Sequence, residues 1–134
     1  MLSKAVRWLK NYQERQTALL EKGDEYRKLE QLPDGPEKKE AIRKLGDYRL
    51  TASATDALVY SVLAECGVKN LPMERCLFRD RLELPVISQI QLAEILLDAH
   101  RMDDFKKVMP IISQFLQQDD SLQTAWLQIG RAHV

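Results

Sequence analysis

Apolar and aromatic side chains return at alternating steps of three and four along the start of this chain, and that spacing constrains the fold more than any other feature. Leu2, Ala5, Leu9, Tyr12, Gln16, Leu19, Gly23 and Tyr26 all fall on one side of a helix, and six of the eight are apolar or aromatic. Gln16 and Gly23 interrupt the stripe, which favours a helix packed on its neighbour in a hairpin over a long coiled coil. The segment LPDGP then predicts a turn. Pro33 cannot continue a helix, Asp34-Gly35 has turn chemistry, and Pro36 suits the first turn of a second helix.

That second helix opens with acid, offers a Glu40 to Lys44 pair, and places Ile42, Leu45 and Tyr48 on one side, so it should fold back antiparallel. The next stretch, LTASATDALVYSVLAECG, allows two readings. Either one nearly continuous helix runs from about Glu37 to Cys66 with a weak point around residues 50–53, or Ser53 caps a fresh helix with Asp56 completing a capping box. The helical face of Leu58, Val59, Val62 and Leu63 favours the continuous form, and Gly67 should end it in a left-handed conformation.

Asn70 and Pro72 mark another start, and the short helix that follows must stop before Pro85, whose ring drives Leu84 out of the helical region. Pro85 opens the most apolar stretch. There Val86, Ile90, Ala93 and Leu97 form one face, broadened by Ile87 and Leu96, as expected of a central core helix. After a turn at Met102 and Asp103, Pro110 should kink or restart the next helix, and Asp119 or Asp120 should cap a last one. The fold expected is all-α: an antiparallel helical hairpin followed by short packed helices, as a bundle or an α-solenoid-like stack. Its composition agrees, with 45% hydrophobic and 30% charged residues and only five Gly and five Pro.

Residues 86–130 carry two helices of similar length joined by a few residues, then a third that holds AWLQIG. Trp126, Ile129 and Gly130 have the spacing of a tetratricopeptide repeat, Asp120 stands where a Pro commonly precedes the next repeat, and His133 takes the place of its Tyr. The stretch therefore resembles that family, which implies a helical scaffold that binds other proteins. It departs from the pattern at Leu96 and Asp103, where the family has small residues or Gly, at Val108 in place of Ala, and at Pro110 inside the second helix.

The final six residues, IGRAHV, match a translation of a common short-read sequencing adapter. Residues 1–128 are accordingly expected to form a single helical domain at the N-terminal part of a longer chain, with 129–134 an assembly artefact.

Formal charge is zero overall, with 12 Lys/Arg against 9 Asp/Glu in residues 1–50 and 8 against 11 in the rest. A dedicated nucleic-acid binder carries a strongly basic domain, so that class is disfavoured. Charges interrupt every apolar run well short of a membrane span. Cys66 and Cys76 fit neither a disulfide framework nor a zinc site and suit reduced thiols in the cytoplasm. His100, beside Asp98 and Arg101, fits favourable placement at a helix C-terminus, and the Asp103-Asp104 and Asp119-Asp120 pairs fit helix caps. No phosphate loop, nucleophile–base pair or metal-binding helix motif is present, so no catalytic role and no cofactor are expected.

One surface feature remains. Lys4, Arg7, Asn11, Arg15 and Lys22 form a stripe on the first helix opposite Leu2, Leu9, Gln16 and Leu20, with Trp8 at its edge. Such a stripe either keeps the helix solvated or meets phosphates, anionic lipid or an acidic partner. The expected function is a non-catalytic protein–protein interaction module or scaffold segment, with Lys4, Arg7, Trp8, Arg15 and Trp126 as its contact residues. The alternative is an N-terminal regulatory or accessory region of a longer enzyme or transcription regulator. A protein partner is implied; its identity and the oligomeric state are left open.

Overall fold

The structure, a computed structural model, describes residues 3–116. Trp126, His133, the caps at Asp119 and Asp120 and the segment 129–134 lie outside the described residues. Within them the chain is all helical, as the periodicity requires. It divides into two compact units, Met1–Leu77 and Phe78–Val134.

In the first unit, α1 spans Lys4–Glu30. Ser3 caps it by accepting the Val6 N–H at 3.2 Å, and Arg27 and Lys28 place positive charge in the last turn, where the helix dipole favours it. Pro33 and Gly35 make the turn, and α2 runs from Pro36 to Leu45 with the proline in its first turn. Ile42, Leu45 and Tyr48 are half-buried, and α2 packs on α1. Glu40 pairs with Arg43 at 2.5 Å rather than with Lys44.

A continuous helix does not follow. Gly46, at φ 76°, ends α2, and a non-helical segment leads to α3, Ala54–Glu65. Here the capping box is complete: Ser53 accepts the Asp56 N–H, while the Asp56 carboxylate accepts the Ser53 N–H at 2.8 Å. Tertiary contacts of the segment, described below, offset the helix propensity that a continuous reading relies on.

Beyond α3, Gly67 at φ 80° closes a Schellman motif, its N–H bonding Ala64 O and the Val68 N–H bonding Leu63 O. The expected stop is in place. Asn70 caps α4, Leu71–Arg79, by accepting the Met73 N–H at 3.0 Å. Leu20, Ala57, Tyr60, Leu63 and Met73 are among the buried residues of this unit's core.

The second unit opens with the end of α4, a single 3₁₀ turn at Arg81–Glu83, and an extended Leu84 before Pro85. Helix α5 spans Val86–Asp98 and packs on α6, Met102–Leu116. The buried face of α5 is Gln89, Leu92, Ala93 and Leu96 with Ser88 and Ile90. Ile87 is exposed and Val86 and Leu97 only half-buried, so the expected face is rotated. The Gln89 amide donates to Leu84 O at 3.0 Å, satisfying the carbonyl that precedes the proline. The turn sits at Ala99–Arg101 rather than at Met102. Helix α6 continues through Pro110 without restarting. The proline is on the solvent side, while Val108 and Ile112 anchor the same stretch in the interior.

His100 adopts the left-handed conformation at φ 58°, the one described non-glycine residue to do so. Its N–H bonds Leu97 O at 3.0 Å and the Arg101 N–H bonds Leu96 O at 2.9 Å, the same Schellman geometry that Gly67 closes after α3. A Cβ in this region is strained by about 1 kcal/mol. His100→Gly is therefore expected to stabilise the protein by about 0.5–1 kcal/mol, and Gly67→Ala to destabilise it by a similar amount. Urea unfolding followed by circular dichroism reads both shifts, which should have opposite signs.

Candidate interaction surface

The fully buried residues of α1 are Gln13, Thr17, Leu20 and Gly23. At 100° per residue, Val6 and Leu9 fall on the same side as Gln13. The apolar face therefore continues towards the N-terminus, where Val6 and Leu9 are half-buried.

Trp8 and Tyr12, four residues apart, stack there with ring centroids 5.5 Å apart and an interplanar angle of 13°. Trp8 is 59% exposed, and Val6, Leu9 and Tyr12 are half-buried. Lys4, Arg7 and Arg15 are exposed, as is Lys10. Lys4, Trp8 and Arg15 fall within about 40° of one another around the helix, with Arg7 about 60° to the other side. The structure thus brings four of the five expected contact residues to one end of α1, while Trp126 lies outside the described residues.

From Gln13 onward the same side of the helix grips the segment between α2 and α3. The Arg49 N–H donates to Leu19 O at 3.0 Å, a second bond to a carbonyl within α1. The Arg49 guanidinium donates to Gln16 Oε1 at 2.7 Å and reaches both Asp56 oxygens, at 2.7 and 3.1 Å. The hydrogen bond to Asp56 holds the Arg49 guanidinium above its usual pKa, against the cost of partial burial. Arg27 donates to Leu50 O at 2.7 Å, and Tyr26 stacks on Tyr48 with centroids 4.3 Å apart. Nearby, Asn70 donates to Thr17 and Tyr60 donates to Glu74.

Gln16 and Gly23 are therefore not defects in the stripe. Gln16 accepts from Arg49, and Gly23 is where the Arg49 carbonyl touches the helix: a Cβ built there would lie 1.8 Å from that oxygen. Reading by apolar spacing passes over Arg49 because it is not apolar, whereas the S-x-x-D cap already marks Asp56. The signal that could have found Arg49 is a glycine on the packed face of a helix.

These polar groups hold one another in place. Among the described residues no three His, Cys, Asp or Glu side chains group so as to hold a metal ion. No described helix is long and apolar enough to cross a membrane. Comparison with known protein families, curated proteins and solved structures returns no match to this chain.

Proposed function

We propose that this chain is a non-catalytic helical module that binds another protein through the N-terminal end of α1. One observation carries the reading: at the N-terminal end of α1, Trp8 is 59% exposed and stacked on Tyr12. A large aromatic is the commonest energetic anchor of a protein interface, and its exposure on a rigid helix loses little entropy on binding. The packed pair α5 and α6 supports a scaffold role for the second unit and suits the tetratricopeptide-like reading of residues 86–130. Cys66 and Cys76, neither of them in a disulfide, suit a reducing, cytoplasmic setting.

Site-specific photo-crosslinking tests this. A benzoylphenylalanine at position 8 should capture a protein partner that the same group at exposed Glu37 on α2 does not. Trp8→Ala should weaken that association by about 2 kcal/mol while changing stability by less than about 0.5 kcal/mol, because the ring is mostly outside the core. Equal crosslinking from both positions would refute the assignment of the surface.

A further inference from the structure

We infer that two copies of this chain pair through the outer face of α3, antiparallel about a two-fold axis level with Tyr60, as a weak dimer. Helical geometry defines the face. At 100° per residue Thr55, Leu58, Val62 and Glu65 fall within about 80° of one another, opposite the buried Asp56, Tyr60 and Leu63. All four are exposed, Leu58 by 52% and Val62 by 39%. The solvent side of a surface helix ordinarily carries charged side chains, yet Glu65 is the one charged residue between Ala57 and Val68. Such a face has the composition of a contact.

Its symmetry argues for a second copy as the cover. The four positions are spaced by three, four and three residues, the a and d spacing of a heptad, and an antiparallel pair sets each a position against a d position of the other helix. Leu58 of one copy therefore meets Val62 of the other, twice, and each Glu65 arrives beside Thr55 in the first turn of the opposing α3. The positive end of that helix favours a carboxylate, and the Thr55 hydroxyl can donate to it. The acid native to this turn does not repel it, because the Asp56 carboxylate is buried and engaged by Arg49 and the Ser53 N–H. Parallel pairing would instead bring the two Glu65 side chains together. Area sets the strength. One face of a helix of 12 residues, about 18 Å long, offers well under the roughly 800 Å² per partner of a stable interface, so Kd should be on the order of 100 µM.

Sedimentation velocity of the full chain between about 10 and 500 µM tests this, and the weight-average mass should rise with concentration towards that of a dimer. Leu58→Asp should raise Kd at least about tenfold while the circular-dichroism spectrum and urea midpoint stay those of the parent. Thr55→Lys reads the register. Facing Glu65 of the other copy, it should lower Kd at least about threefold, and adding Glu65→Lys should cancel the gain. Position 55 is exposed, so this pair of variants decides the matter even where Leu58→Asp unfolds the chain. A chain monomeric to about 500 µM overturns the inference, whether or not it binds phosphatidylcholine–phosphatidylserine vesicles. So does a dimer that a folded Leu58→Asp leaves intact, or a Thr55→Lys chain that associates no more tightly than the parent. An association lost in Trp8→Ala and kept in Leu58→Asp places the contact on α1 and overturns it likewise.

Discussion

Replacing Gly23 by alanine should destabilise the first unit by about 3 kcal/mol, even though alanine is the better helix former by about 1 kcal/mol. The added methyl would sit 1.8 Å from the Arg49 carbonyl oxygen, 2.8 Å from its carbon and 3.3 Å from Leu50 Cα. All three obstacles are backbone, so no side-chain rotation relieves the overlap. The segment cannot simply retreat, because the Arg49 N–H is bound to Leu19 O and Leu50 O is held by Arg27. Urea unfolding of the variant, followed by circular dichroism, measures the outcome. A variant as stable as the parent protein, with α1 intact, would mean that the segment does not approach the helix so closely.

The second large effect is expected at Asp56. Its side chain is 1% exposed and accepts from the Ser53 backbone and hydroxyl and from Arg49, whose own side chain is 27% exposed. Asp56→Ala therefore removes a helix cap, costing about 1 kcal/mol, and leaves a partly buried guanidinium without its anion, for a total of about 4 kcal/mol. Arg49→Met should cost less, since the Ser53 N–H and hydroxyl still bond the carboxylate. A double-mutant cycle combining the two should return a coupling of at least about 2 kcal/mol, and a coupling near zero would show that the pair is not formed in solution. The Arg43–Glu40 pair makes a useful control. Its side chains are 71% and 48% exposed, so solvent screens it and its removal should leave the unfolding midpoint unchanged.

Much of the helical architecture was legible because apolar spacing, prolines and caps act locally. Pro33 with Asp34-Gly35, Pro36, Gly67, Asn70 and Pro85 all punctuate the chain where their backbone preferences require. What was not legible depends on residues distant in sequence. The segment after Gly46 leaves the helical path because α1 offers it Leu19 O, the Gln16 amide oxygen and a ring at Tyr26, and no local propensity encodes those partners. Pro110 shows the converse. Its cost falls on the solvent side of α6, where burial of Val108 and Ile112 on the opposite side outweighs it. For the surface, Lys4, Arg7, Trp8 and Arg15 could be read as one stripe from spacing alone, but the exposure of Trp8 and its stacking on Tyr12 depend on the folded helix.

The hold of α1 on residues 46–53 also sets an order of events during synthesis. Gln16 waits for Arg49, 33 residues later, and Arg27 for Leu50, 23 residues later. Until that stretch has left the ribosome, the side of α1 that carries Leu20 has nothing to close over it, and forming those links means closing long loops. A nascent chain halted before Arg49 would therefore expose a sticky helix to chaperones, and its release from them should coincide with the emergence of α3.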